Sequence, residues 1–416
     1  MTESEQEAPE RPAPVPLLEP RGGVPPVVDS PDALADIVRR FAAGTGPVAV
    51  DAERASGYRY TQRAYLVQLR RSGAGTALID PVACPDLTEL SEAIADAEWV
   101  LHAANQDLPC LAGVGMRPKT LFDTELGARI AGYERVGLAT MAEIVLGQQL
   151  AKEHSAVDWS RRPLPEPWLR YAALDVEILV DLRDALEGEL QRQGKLTWAR
   201  EEFATVLAAE PSPPRVDPWR RTSGIHRLRN RRQLAIVRAL WTERDQMARE
   251  RDVAPGRLLP DSALVAAAAA SPANAEALGR LPGWGGKATR RLVPVLWPAV
   301  AKALAEPDSS LPVPSLPGDG PPPASRWPDR DPIAAGRLSR ARAAVGAVAA
   351  EHGLPVENLL SPELVRRVAW TPPSPLTADA VAAVLDSAGA RSWQVALTAE
   401  AIATAMAADG DVPAGH

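Results

Sequence analysis

Between Val27 and about residue 207 the apolar positions change their spacing along the chain. They come first as short runs: Gly46–Glu53, Ala64–Arg71 and Thr76–Pro81, the last two separated by the turn-prone Ser72–Gly75. Short aliphatic and β-branched runs bounded by Gly and acids predict strands. Leu87–Ala97 spaces its apolar residues as a helix does, and Trp99–Ala104 reads as a buried strand. Helical spacing then takes over, predicting helices at about 106–113, 120–131, 138–146 and 168–193. Strands interleaved with and followed by helices predict an α/β unit, a mixed sheet covered by helices.

The rest of the chain is patterned for helices alone. Two blocks, 223–305 and 333–408, share a signature. Leu258-Leu259 precedes Leu264-Val265 in one, and Leu359-Leu360 precedes Leu364-Val365 in the other. Copies about 100 residues apart fit duplicated all-α modules better than a solenoid. Proline separates the units. Residues 208–222 read as a linker, and 306–332 as a longer one, extended and stiffened by proline. Residues 1–26 are rich in Pro and Glu and predict a disordered tail, and 409–416 predict a second tail. The tail is acidic and so unlike a secretory leader, and the chain contains no run of about 20 apolar residues. The expectation is a multidomain cytoplasmic protein with no membrane partner.

Composition sharpens this in two ways. The two cysteines, Cys84 and Cys110, are too few for a disulfide scaffold or a cysteine-rich zinc site. The net charge of −7 hides a partition: residues 215–291 carry 16 Lys+Arg against 7 Asp+Glu, a local +9, which leaves −16 elsewhere. One unit suited to a polyanion and another suited to carboxylate chemistry would give that pattern.

The carboxylates cluster at element ends. Asp51 and Glu53 are two apart at the end of a strand, so both project to one face. Two acids side by side repel unless a cation lies between them. Asp107 follows the next buried strand by a few residues, with Asn105 placed as a helix N-cap and His102 at the strand end. Tyr171 and Asp175 are four apart on a helix and share a face. Each pair alone is ordinary.

The order Asp-x-Glu, Asp, Tyr-x-x-x-Asp resembles the 3′–5′ exonuclease superfamily with four acids and a tyrosine, and within it the ribonuclease D family. Residues 65–69, 122–133 and 151–165 are similar to that family's intervening stretches, and the two helical blocks resemble its HRDC module. The resemblance implies a ribonuclease-H-like mixed sheet, with residues 27–207 as the exonuclease domain. Its implied activity is a 3′–5′ exoribonuclease trimming RNA 3′ ends, of tRNA precursors or other structured RNA. Two divalent cations, Mg²⁺ or Mn²⁺, would serve it. Asp51 would bridge them, Glu53 and Asp175 would hold one, and Asp107 the other mainly through water. Tyr171 would orient the attacking water. The family's first motif has an aromatic after its second acid, and here Arg54 stands there.

Substrate contacts are expected from Gln68, Lys152, Trp159 and Arg161, although half-buried core is the favoured role for Trp159. In the basic block, six arginines between Arg220 and Arg232 surround a helix start, and the turn 281–291 presents Lys287 and Arg290 after three glycines. Such a turn suits phosphate, and it equally suits a tight interhelical connection. No Walker motif occurs, so no nucleoside-triphosphate cofactor is expected. Two other functions fit the same residues: a 3′–5′ exonuclease acting on DNA, and an inert RNA-binding protein on the same fold. Retention of all five site residues argues against inertness.

Overall fold

The aliphatic runs of the first unit do form a sheet. The computed structural model describes residues 13–150, 156–210, 213–316 and 320–408. Its strands are β1 (Val15–Leu17), β2 (Val27–Val28), β3 (Thr45–Arg54), β4 (Ala64–Ser72), β5 (Gly75–Ile79), β6 (Glu98–Leu101), β7 (Thr120–Asp123) and β8 (Gln148–Leu150). Helices of this unit are α1 (Pro31–Ala42), α2 (Thr88–Ala93), α3 (Leu108–Ala112), α4 (Thr124–Ala131), α5 (Leu138–Leu146), α6 (Glu166–Glu177), α7 (Leu179–Arg192) and α8 (Leu196–Ala208).

Six strands make a mixed sheet in the order β2-β5-β4-β3-β6-β7. The neighbours β3, β4 and β5 are antiparallel, and β6 and β7 run parallel to β3. Alternation along β3 sorts its side chains. Val48 and Val50 join Phe41 of α1 and Leu90 of α2 in the main core, while Ala49 packs with Val176 and Leu179 of α6 and α7. Asp51 and Glu53 follow Ala49 by twos and therefore face α6.

Three expectations change here. Residues 120–131 are not one helix: Thr120–Asp123 pair as a strand with β6, because Leu121 and Phe122 are buried in the sheet. Residues 168–193 are two helices that meet at Ile178, itself buried beside Ala142 and Leu150. Residues 13–26 of the expected disordered tail are ordered, and residues 1–12 lie outside the described residues. There β1 pairs with β8, and Arg21 reaches Glu177 and Asp181 at 3.7 and 3.0 Å.

The remaining helices are α9 (Arg231–Arg251), α10 (Pro255–Leu258), α11 (Asp261–Ala270), α12 (Ala275–Gly279), α13 (Lys287–Arg290) and α14 (Val293–Ala305) in the second unit. The third has α15 (Trp327–Arg330), α16 (Pro332–Glu351), α17 (Val356–Leu359), α18 (Pro362–Trp370), α19 (Ala378–Ser387) and α20 (Ser392–Ala407). The second unit keeps its own core around Trp219, Leu240 and Trp284. It docks through α9 and α10 on the loop after β3. Thr61 donates to Asp252 at 2.9 and 3.0 Å, Arg257 lies 3.8 Å over the Tyr58 ring, and Ala254 N–H donates to Tyr58 O at 2.9 Å.

The third unit is not a tethered appendage. Its core is continuous with that of the first unit. Trp198 of α8 stacks on Trp393 at 5.1 Å, and the buried Glu202 accepts from Arg391, Trp393 and Gln394. Gly132 ends α4 at φ +93°, and a Cβ there would stand 2.5 Å from the Gly353 carbonyl oxygen. The proline-rich linker is also largely docked. Arg231 donates to the carbonyls of Leu311 and Pro312, Arg238 pairs with Glu306, and Trp327 is fully buried. Its prolines present carbonyls that need donors, and arginines supply them.

Candidate active site

Three elements converge on one cleft. The end of β3 brings Asp51 and Glu53, the segment after β6 brings Asp107, and α6 brings Tyr171 and Asp175. The cleft has a volume of about 470 Å³, and all five residues line it. Oxygens of Asp51, Glu53 and Asp175 lie within 4.8 Å of one another. Tyr171 hydrogen-bonds to Asp175, one turn further along α6.

The local sequence explains each position. Ala172, Ala173 and Val176 pack α6 on the sheet, against Leu66, Leu78 and Ala49, and the adjoining edge of the helix carries Tyr171 and Asp175 into the cleft. The fully buried Glu177 fixes that rotation through Arg70 of β4 at 3.0 Å. Gln68 sits opposite Asp51 in the β3–β4 register and donates to Asp51 Oδ2 at 3.2 Å. Asp107 depends on a feature the sequence did not reveal. Ala103 adopts φ +59°, and the buried Asp123 holds that turn by accepting from Ala103 and Ala104 N–H at 3.0 and 2.8 Å. Asp123 also caps α4 through Glu125 and Leu126 N–H. Asn105 caps no helix; Asp107 itself occupies the N-cap position of α3. An acid at the end of an apolar run, followed by Thr-Glu, is the signal that could have marked Asp123 as a cap.

The electrostatics are those of acids crowded without a counter-ion. Burial pushes the Asp51 carboxyl up. Glu53 is raised further by burial and then by the charges of Asp51, Asp175 and Asp107. Burial and Asp51 raise Asp175, and burial with Asp51 brings Asp107 to about 8. The Tyr171 hydroxyl is pushed far above its ordinary value by burial and the neighbouring acids, so it stays protonated. Burial lowers His102 to about 4, so its ring is neutral near pH 7. His102 Nδ1 lies 2.9 Å from Thr124 Oγ1, and the ring also meets the Val136 backbone. These donors are all hard oxygens, the set suited to Mg²⁺ or Mn²⁺. The acidic cluster is thus a divalent-metal site in its donor chemistry.

The expected substrate contacts fare unevenly. Gln68 is fully buried, so it braces Asp51 and cannot reach a substrate backbone. Trp159 is fully buried against Trp168, with ring centres 5.5 Å apart, and offers no face to a base. Arg161 is exposed, and Lys152 lies outside the described residues. Lys287 and Arg290 are exposed on α13. Gly283 has a structural reason, φ +84° and a Cβ that would meet Ala263 Cβ at 2.8 Å, whereas Gly285 has open space around it. Several expected phosphate ligands are committed elsewhere. Arg220, Arg231 and Arg232 bond linker oxygens.

Comparison with known proteins agrees with this geometry. A family model described as a 3′-5′ exonuclease matches residues 25–191. The chain is 36% identical over 317 residues to ribonuclease D of Acidiphilium cryptum, covering 72% of this chain and 78% of that one. The chain belongs to the ribonuclease D family. It is by that membership a 3′–5′ exoribonuclease. Ribonuclease D of Escherichia coli is 33% identical over 299 residues, 70% of this chain and 78% of its own. The crystal structure of Escherichia coli RNase D, titled an exoribonuclease involved in structured RNA processing, superposes with TM-score 0.64 at 27% identity, covering 88% of this chain and 99% of that one. A structure from Bifidobacterium adolescentis reaches TM-score 0.85 at 41% identity, covering 95% and 100%. Among ribonuclease D modules, the HRDC model matches residues 233–300, while residues 320–406 match a separate model described as a 3′ to 5′ exonuclease C-terminal domain. The helical blocks that look alike in sequence are therefore matched by different family models.

Proposed function

We propose that this exoribonuclease works with two divalent cations, Mg²⁺ or Mn²⁺, and trims the 3′ ends of structured RNA such as tRNA precursors. The observation that carries the reading is the convergence of Asp51, Glu53 and Asp175 oxygens within 4.8 Å, with Asp107 and Tyr171 lining the same cleft. The fit is chemical as well as geometric: buried acids raised above their ordinary range are acids that a cation would release from their protons.

Asp51, Glu53 and Asp175 would hold one ion, and Asp107 with Asp51 the other. When bound, such ions lower the pKa of the attacking water and neutralise charge at the phosphoryl group and the leaving oxygen. The rest falls to the chain. Tyr171 remains a hydroxyl that gives its proton to Asp175 in a hydrogen bond, so it accepts a hydrogen bond from the water without taking its proton. Its bond to Asp175 fixes the direction of that hydroxyl. Gln68 and Arg70 hold the two carboxylate-bearing elements at a fixed separation. His102, neutral and tied to Thr124, lines the cleft without adding a charge. The product is a nucleoside 5′-monophosphate, and the RNA is shortened from its 3′ end.

The test is hydrolysis of 5′-labelled RNA and a matched DNA oligomer by wild type and Asp51→Asn, with and without Mg²⁺ or Mn²⁺. Wild type should shorten the RNA stepwise only with metal, and Asp51→Asn should retain less than a few per cent of turnover while still binding RNA. Equal single-turnover rates on DNA would move the reading to a general 3′–5′ exonuclease.

A further inference from the structure

Among the described residues, Arg54 is the one cation lining the carboxylate cleft, and the proposed chemistry does not explain its place. Strict alternation along β3 would send residue 54 to the face opposite Glu53. The β3–β4 register shifts between Glu53 and Arg54, where Glu53 faces Leu66 and Arg54 faces Ala64. Such an irregularity re-aims a side chain. Arg54 accordingly lines the same cleft as Asp51, Glu53, Asp107 and Asp175. Its Nη2 lies 3.5 Å from Asp107 Oδ1. Asp107 is the acid left out of the three-carboxylate cluster. A guanidinium keeps its charge at any working pH, so this is a permanent positive charge beside the fourth carboxylate.

We infer that Arg54 is a positioning residue that pairs with Asp107 and competes with the second divalent ion, so the RNA-free chain binds one ion firmly and a second only weakly. This rests on the two-cation reading above and says which of its two sites is withheld. The first site is complete without Asp107, because Asp51, Glu53 and Asp175 already converge. The second needs Asp107, and filling it requires displacing the Arg54–Asp107 contact and placing a divalent charge near the guanidinium. The side chain has room to leave. Arg54 also borders a second hollow of about 280 Å³, lined by Ser56, Gly57, Tyr58, Ala156 and Val157, and it is 26% exposed. An aromatic at this position, the residue the family motif would place there, carries no charge and would leave Asp107 available to the metal.

The experiment is a Mn²⁺ titration of the full RNA-free chain, with free Mn²⁺ read by electron paramagnetic resonance. Wild type should bind one ion at least tenfold more tightly than a second. Arg54→Phe, and independently Arg54→Gln, should tighten the second site about tenfold and leave the first within about twofold. Asp107→Asn should leave the firm site intact. The Mn²⁺ concentration for half-maximal hydrolysis should fall about tenfold in Arg54→Phe. Two wild-type sites of equal affinity, or variants with the wild-type isotherm, would overturn the inference. Absence of Mn²⁺ binding in every protein would overturn the two-cation reading itself, a distinct outcome. If Arg54→Phe fails to fold, the Arg54→Gln isotherm decides.

Discussion

Stripping divalent cations and raising the pH from 6.5 to 8 should weaken the fold, against the usual trend for carboxylates. The cause is the crowding of Asp51, Glu53, Asp107 and Asp175. Burial raises Asp107 from 3.8 to about 8, and its three neighbours are raised as well. The folded chain therefore keeps protons that the unfolded chain has released. Stability then falls as pH rises between the unfolded and folded values, because the native state binds more protons. Each retained proton is worth about 1.4 kcal/mol per unit of pH, so one retained throughout costs about 2 kcal/mol over this interval and two cost about 4. His102 has the opposite sign. Lowered from 6.5 to about 4, it adds stability as pH rises between those values and only about 0.4 kcal/mol above 6.5, as the last protons leave the unfolded chain. The interval from 6.5 to 8 isolates the acids.

For a domain of this size about 1 kcal/mol moves Tm by about 2–4 °C, so the loss for one proton is about 4–8 °C. The assay is calorimetry or dye-monitored melting in chelator and in saturating Mg²⁺ or Mn²⁺. With metal the slope should vanish, since the ion replaces the protons. Asp107→Asn should shrink the slope in chelator, because an amide has no proton to keep. A flat profile in chelator, or the same slope with and without metal, would refute the account of the site as four acids awaiting cations.

Three further outcomes are expected. Tyr171→Phe keeps the ring and removes the hydroxyl, and should lower kcat about 10- to 1000-fold with little change in KM; an unchanged kcat in single-turnover assays would move water positioning elsewhere. Glu202→Ala leaves Arg391, Trp393 and Gln394 without their buried acceptor and should cost about 3 kcal/mol in denaturant unfolding, with kcat preserved in the folded fraction. Lys287→Ala combined with Arg290→Ala should flatten the log affinity against log salt slope for single-stranded RNA by about 1.4, while Arg231→Ala should lower Tm and leave that slope alone, as filter binding and melting curves will tell.

What the sequence made readable was whatever alternation and helical spacing encode. Asp51 and Glu53 share a face because strands alternate, and Tyr171 and Asp175 because helices repeat. The resemblance joined those pairs to Asp107. What stayed hidden were contacts between segments far apart in the chain. Gln68 looks like a surface polar residue on a strand, yet the β3–β4 register sets it under Asp51. Trp159 sits in a polar stretch with five charged neighbours between Lys152 and Arg162; core is its favoured role, and the packing of Trp168 and Tyr65 makes its burial complete. Asp123 reads as one more helix-start acid. Its second task, holding the left-handed turn at Ala103, depends on β6 and β7 lying side by side. The charge partition was visible, but its use was not, because arginines that satisfy linker carbonyls count the same as arginines that await phosphate.

The docked linkers change how the three units depend on one another. A chain cut near Glu210 keeps all five site residues, which in sequence looks sufficient for cleavage. In the structure that cut removes the partners of α8. Trp198 loses its stack on Trp393, Glu202 loses its donors, and the apolar face shared by Phe203 and the third unit meets water. Because α8 also packs on β7 and α4, the damage reaches the strand that carries Asp123 and hence the turn that presents Asp107. The second unit grips a different part of the site, the loop that leaves β3 just after Arg54, through Asp252 and Arg257. The helical units thus brace the carboxylate cleft from two sides, one behind Asp107 and the other beyond Glu53. Loss of activity on truncation therefore reports on the geometry of the cleft as much as on the grip on RNA. The two are separated by point changes at exposed residues such as Lys287 and Arg290, which touch neither bracing surface.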